Sequence, residues 1–97
     1  MKSLVFSSLA KADLSEIWLY SRQTWSADQA DRYVSSLLDA CDNLAAGTKH
    51  GQSVADVKQD YFRVFVASHA IYYTSENGDE LLIVRILHQS MDVNAQL

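Results

Sequence analysis

Apolar residues recur at steps of three and four in the first half of the chain and gather into short blocks in the second. Leu4, Val5 and Phe6 form the first block, and a strand is expected over residues 2–7. Over residues 9–24 the apolar and small positions are Ala10, Leu14, Ile17, Trp18 and Ser21, continuing to Trp25, the stripe of an amphipathic helix. Its other side carries Lys11, Asp13, Ser15, Glu16 and Arg22, and Ser7 and Ser8 are both placed to cap it. Ser26 and Gln29 have capping-box spacing, so a second helix is expected to start there. Its seam runs through Ala30, Tyr33, Val34, Leu37, Leu38, Cys41, Leu44 and Ala45, and Gly47 suits the left-handed residue that ends it. With only about two residues between them, the helices are expected to be antiparallel. A two-helix unit cannot bury both stripes by itself, so a sheet must cover it.

Residues 47–56 read as a loop, followed by strand-like runs at 57–66, 69–74 and 80–87. Ala67-Ser68 is a tight connection, and Asn77-Gly78 is a hairpin signal because both residues tolerate positive φ. The last run is apolar on both faces and is therefore expected at the centre, between the first strand and the strand through Ile71 and Tyr73. The expected fold class is α+β: an N-terminal strand, an antiparallel helical hairpin and a three-stranded antiparallel meander, forming a single domain over residues 1–97.

Composition narrows the functional classes. The chain has 97 residues, 48% of them hydrophobic, enough for an ordinary core without staples. Its net charge of −4 disfavours a protein whose affinity comes from neutralising phosphates. Cys41 is the only cysteine and no secretory signal is recognisable, so the reducing cytoplasm is the expected compartment. No apolar run approaches the roughly 20 residues of a membrane span, and no membrane partner is expected.

The polar residues with chemical potential are Lys58, Tyr61, Arg63, His69, Arg85, His88 and Asp92, all in the sheet half. Arg85 shares its strand face with Ile83 and Leu87 on strict alternation, so it either snorkels to the rim or pairs with an acid. The rim is the simpler expectation. His69 opens a strand and His88 closes one, positions where hydrogen-bonded turn residues are commoner than catalysts. His50, His69 and His88 lack zinc-motif spacing, and no phosphate-binding glycine loop or dinucleotide fingerprint occurs. Neither a metal nor a cofactor is expected. Trp18 and Trp25 fall on one helical stripe and are expected to pack in the core.

Several of these residues, taken in order, resemble the ParE toxins of the ParE/RelE superfamily of bacterial type II toxin–antitoxin systems. The likeness runs through Ala12-Asp13-Leu14, Ile17, Tyr20, Trp25, Gln29-Ala30, Tyr33, Leu44-Ala45 and Gly51. It continues through Tyr61, Arg63, Ser68-His69, Ile71 and Tyr73 to the specific ending from Arg85 through Ile86, Leu87, His88, Met91 and Asp92. Members often carry glycine before the Tyr61 position and a basic residue after it, where this chain has Asp60 and Phe62. Ala67 replaces a usual glycine before Ser68-His69, and a proline common after the second helix is missing from residues 47–51.

The resemblance implies a β-α-α-β-β-β fold and a toxin that binds DNA gyrase and arrests replication and growth. It implies a ParD-like antitoxin as partner, with operator DNA contacted only indirectly, through that antitoxin. Tyr61, Arg63, His69, Arg85, His88, Met91 and Asp92 are the candidates for target binding. Leu19, Tyr20, Val34 and Leu38 are the candidates for antitoxin contact. The rival within the same fold is a RelE-type ribosome-dependent mRNA endoribonuclease, for which the cations and histidines of the sheet would be the raw material. A third reading is a chain retained only to bind its antitoxin. Residues 91–97 contain no basic side chain, and with the net negative charge this favours a non-enzymatic inhibitor over a nuclease.

Overall fold

The computed structural model describes residues 1–75 and 78–97, so Asn77 of the expected hairpin signal lies outside the described residues. Eight elements follow one another: β1 (Ser3–Phe6), α1 (Ser8–Thr24), α2 (Ala27–Ala46), β2 (Gln52–Ser53), β3 (Tyr61–Val66), β4 (His69–Thr74), β5 (Glu80–His88) and α3 (Val93–Gln96). The strands form one sheet in the order β1-β5-β4-β3-β2, parallel between β1 and β5 and antiparallel elsewhere. The expected central placement of the last strand holds: β5 lies between β1 and β4.

Local chemistry explains the helix ends. Ser7 caps α1 by accepting from the Ala10 amide at 3.0 Å, and Ser26 caps α2 by accepting from the Gln29 amide at 3.1 Å. Only that half of the capping box forms, because the Gln29 side chain accepts from Arg32 instead. Gly47 ends α2 at φ 82°, where an L side chain would be strained. The Trp18 indole donates to Asp31 at 2.8 Å and ties the two helices together.

The helical hairpin covers one face of the sheet. Leu37, Cys41, Leu44, Ile71, Ile83 and Ile86 centre that core, with Phe62, Val64 and Val66 of β3 packed against it. Burial pushes the Cys41 thiol up to about 12, with Asp42 adding a smaller push, so the thiol stays protonated and inert. A second, smaller cluster of Val54, Ala70, Tyr72 and Leu87 lies on the opposite face. The tail folds back over it, with Val93 and Leu97 packing against the cluster beside Tyr61.

Three expectations are corrected. The strand placed at 57–66 begins only at Tyr61, because residues 54–60 turn, with the Val57 and Lys58 amides both bonded to the Val54 carbonyl. Trp25 does not enter the core: it follows the last turn of α1 and is 62% exposed. Asp13, assigned to the solvent side of α1, is buried. It lies three residues after Ala10 and four before Ile17, in the stripe that faces the sheet.

Among the described residues, Asp60 at 67° and Ala67 at 51° have positive φ without being glycine. These are the sites where the resemblance leads one to expect glycine, and the backbone supplies the reason. Ala67-Ser68 closes a two-residue loop between the paired Val66 and His69, and such loops need positive φ at their first residue. Gly51, by contrast, is required by space. A Cβ there would lie 2.6 Å from both the Arg63 carbonyl oxygen and the Tyr73 hydroxyl. That hydroxyl also accepts from the Gly51 amide at 2.7 Å.

Candidate functional site

The site is organised by an irregularity in β5. Tyr72 pairs with Arg85 but Tyr73 pairs with Ile83, so Val84 is an extra residue in the ladder. Before this bulge Leu81 and Ile83 face the helices; after it Ile86 does. Strict alternation would have put Arg85 in the core beside Ile83. The bulge turns Arg85 away and removes it from the face shared with Ile83 that simple alternation implied.

Strand β1 pairs with β5 only as far as Ile83, so the edge of β5 beyond that point needs other partners. Ser7 Oγ donates to the Val84 carbonyl at 2.6 Å, and Asp13 Oδ2 accepts from the Ile86 amide at 3.0 Å. The same carboxylate receives Arg85 through two parallel bonds, Nε to Oδ2 at 2.8 Å and an Nη to Oδ1 at 2.9 Å. The other Nη donates to Gln96 of α3 at 3.3 Å. Arg85 is therefore an internal fastener between α1, β5 and the tail rather than an arginine snorkelling at the rim. Its hydrogen bonds to Asp13 hold its pKa above the ordinary value, against the opposing pull of burial.

Beside this pair a cleft of about 460 Å³ opens between α1, the start of α2 and the ends of β4 and β5. Tyr20, Trp25 and Met91 line its apolar side, with Asp13, Glu16, Tyr33, His69 and His88 as polar neighbours. Tyr20 is 65% exposed, and Met91 is also well exposed. The Tyr33 hydroxyl accepts from the Ser68 amide at 3.2 Å and is hydrogen-bonded to His69 Nδ1, 2.6 Å away. His88 Nδ1 accepts from the Ser90 amide at 3.1 Å, with the Ser90 hydroxyl at 2.8 Å. The two histidine rings meet edge to face at 5.3 Å. Burial, then the nearby His88, lowers the His69 pKa, while Asp13 partly offsets this.

The sequence candidates do not form one patch. His69, His88, Met91 and Tyr20 share the cleft, and Arg85 is bonded to Asp13, which lines it. Tyr61 and Arg63 lie on the opposite face of the sheet, with Phe65. Asp92 caps α3 by accepting from the Asn94 amide at 3.1 Å. Leu19 and Leu38 are exposed on the helices, and Val34 packs partly against the main core. Asp13 and Trp25 were missed as site residues. The available signal was a pair of misfits: an acid inside the α1 stripe and an arginine inside an apolar strand.

Among the described residues, no group of three or more histidine, cysteine, aspartate or glutamate side chains is placed to hold a metal ion. No helix of the described residues is long and apolar enough to cross a membrane.

Comparison with known proteins places this geometry among relatives. Residues 4–93 match the family model described as the ParE toxin of type II toxin-antitoxin system, parDE. The chain is similar to Toxin ParE1 of Caulobacter vibrioides, 37% identical over 97 residues, covering 100% of this chain and 99% of that one. It is similar to Toxin ParE1 of Mycobacterium tuberculosis strain H37Rv, 33% identical over 93 residues, covering 96% and 95%. In fold it is similar to a chain of the solved "Chromosomal ParDE TA system from P. aeruginosa". The TM-score is 0.76 at 20% identity, covering 91% of this chain and 96% of the other.

Proposed function

We propose a function from one premise: the chain belongs to the ParE toxin family of type II toxin–antitoxin systems. It acts in the cytoplasm by binding DNA gyrase, and so arrests replication and growth without catalysing a reaction of its own. A ParD-like antitoxin neutralises it, and operator DNA is contacted only through that antitoxin.

The non-catalytic part rests on one observation, the commitment of the polar groups around the cleft to one another. Cutting RNA through its 2′-hydroxyl needs a base with a free lone pair and cations free to meet the phosphate. His69 Nδ1 is hydrogen-bonded to the Tyr33 hydroxyl, and His88 Nδ1 to the amide and hydroxyl of Ser90. Arg85 is held by Asp13 through two bonds. These groups support a shape rather than a reaction.

The antitoxin is proposed to cover the exposed apolar residues of the hairpin, Leu19, Tyr20 and Leu38 with Val34 between, and to extend over Trp25 and Met91 at the cleft rim. Inducing the chain without antitoxin, with gyrase supercoiling assayed and mRNA 5′ ends mapped in parallel, tests the function. Lost supercoiling with intact messages is expected. Codon-linked cuts with normal supercoiling would establish the nuclease reading instead.

A further inference from the structure

Away from the cleft, the outward strip of β3 carries Tyr61 and Arg63, two of the target-binding candidates, beside Lys58 and Phe65. Phe62, Val64 and Val66 face the helical core, so Tyr61, Arg63 and Phe65 project from the other side. The tail covers that side beside Tyr61 but leaves Phe65 49% exposed. Two cations lie over aromatic rings of this strip: Lys58 Nζ is 5.0 Å from the Tyr61 ring centre, and Arg63 Cζ is 4.7 Å from that of Phe65. Neither forms an ion pair among the described residues, in a chain where acids outnumber bases twelve to eight. The Nε of Arg63 is buried and has no hydrogen-bond partner among the described residues.

We propose that this strip, Lys58, Tyr61, Arg63 and Phe65, grips the target through an acidic polypeptide segment, with a target carboxylate received by Arg63. The inference rests on the gyrase reading and deepens it by naming the contact surface. Arg63 forms no ion pair among the described residues, and the planar guanidinium suits a carboxylate. The cation–π contact with Phe65 holds the guanidinium before the partner arrives, which lowers the ordering cost of binding. The exposed ring beside it supplies the apolar contact, and arginine with an aromatic neighbour is the composition of an interface hot spot. Charge complementarity selects an acidic partner. A nucleic acid fits less well, because two cations neutralise few phosphates.

The test measures binding of the purified chain to DNA-free gyrase, with short single-stranded and duplex DNA as separate probes. Arg63→Glu is expected to weaken gyrase binding by at least about tenfold. Lys58→Glu and Phe65→Ala, both at exposed positions, should weaken it by smaller factors with unchanged thermal unfolding. They keep the result readable should Arg63→Glu disturb the fold. Wild-type affinity in all three variants would overturn the surface and leave the gyrase reading standing. A wild-type chain that neither binds nor inhibits gyrase would remove that reading and this one with it. Steeply salt-dependent binding to the DNA probes, lost in Arg63→Glu and with DNA-free gyrase unbound, would replace the acidic segment by a phosphate backbone.

Discussion

Arg63 and Arg85 lie in one row across the sheet, each paired in register with Tyr72 of the strand between them. Their environments differ in every other respect. Arg85 meets a buried carboxylate through two bonds, a glutamine through a third, and a helix that closes over its strand edge. Arg63 has an aromatic ring beneath it and an unmatched donor. An arginine satisfied from within belongs to the architecture, whereas one pre-positioned but unmatched is available for recognition. Residue type and strand position alone did not separate them.

The sharpest way to break this contrast is to remove a partner or charge on each side. Asp13→Ala leaves the Arg85 guanidinium and the Ile86 amide without their acceptor, and it should cost about 3 kcal/mol, in the range for breaking a buried pair. Arg63→Met should change stability by no more than about 1 kcal/mol, since only the contact with the Phe65 ring is lost. Urea unfolding of the two variants checks both. Equal losses would mean that Arg63 is also part of the architecture. Combining Asp13→Leu with Arg85→Met should recover much of the loss, since an apolar replacement leaves no unpaired charge behind.

A smaller effect is expected at the hairpin that carries the chain from the Arg63 strand to His69. Ala67→Gly relieves a left-handed conformation and should stabilise by about 1 kcal/mol. Asp60→Gly should gain less, because aspartate tolerates that region better than alanine. A rise in melting temperature without change in gyrase inhibition is the expected result; a fall would mean that the Ala67 side chain makes a compensating contact.

The smallest effect separates the closed side by pH. Because the folded pKa of His69 is lowered, the unfolded chain binds more protons. The contribution of His69 is therefore complete above the ordinary histidine value of about 6.5 and is lost as pH falls through its lower folded value. Denaturation series between neutral pH and pH 5 should show a stability decline that His69→Gln flattens. The charges acting on this ring come from Asp13 on α1 and His88 on β5, with Glu16 lining the same cleft, and a decline unaltered by the substitution would mean that His69 is not its source.

Regular pattern made most of the fold legible. The helix stripes, the caps at Ser7 and Ser26, the glycine stop at Gly47 and the doubly apolar last strand each followed from periodicity or turn chemistry. What stayed hidden depended on relations between distant segments. Asp13 reads as solvent-facing until Arg85 is known to approach it from 72 positions away. Arg85 reads as a rim residue until the extra Val84 switches the faces of its strand. Trp25 fits the helical stripe, but the helix ends one residue earlier. The return of Val93 and Leu97 across the sheet was equally unreadable, because a short polar tail carries no periodicity of its own.

The parallel pairing of β1 with β5 has a consequence for the order of folding. The first strand made must wait for a partner that begins at Glu80, while the helical hairpin between them can form from local contacts alone. Closing so long a loop is entropically slow and raises the contact order, so sheet completion is expected to limit the folding rate. Until β5 docks, the apolar seam of the hairpin lacks its cover, and Asp13 has neither the Ile86 amide nor Arg85 to bind. The ion pair is thus a late event that locks a topology assembled before it.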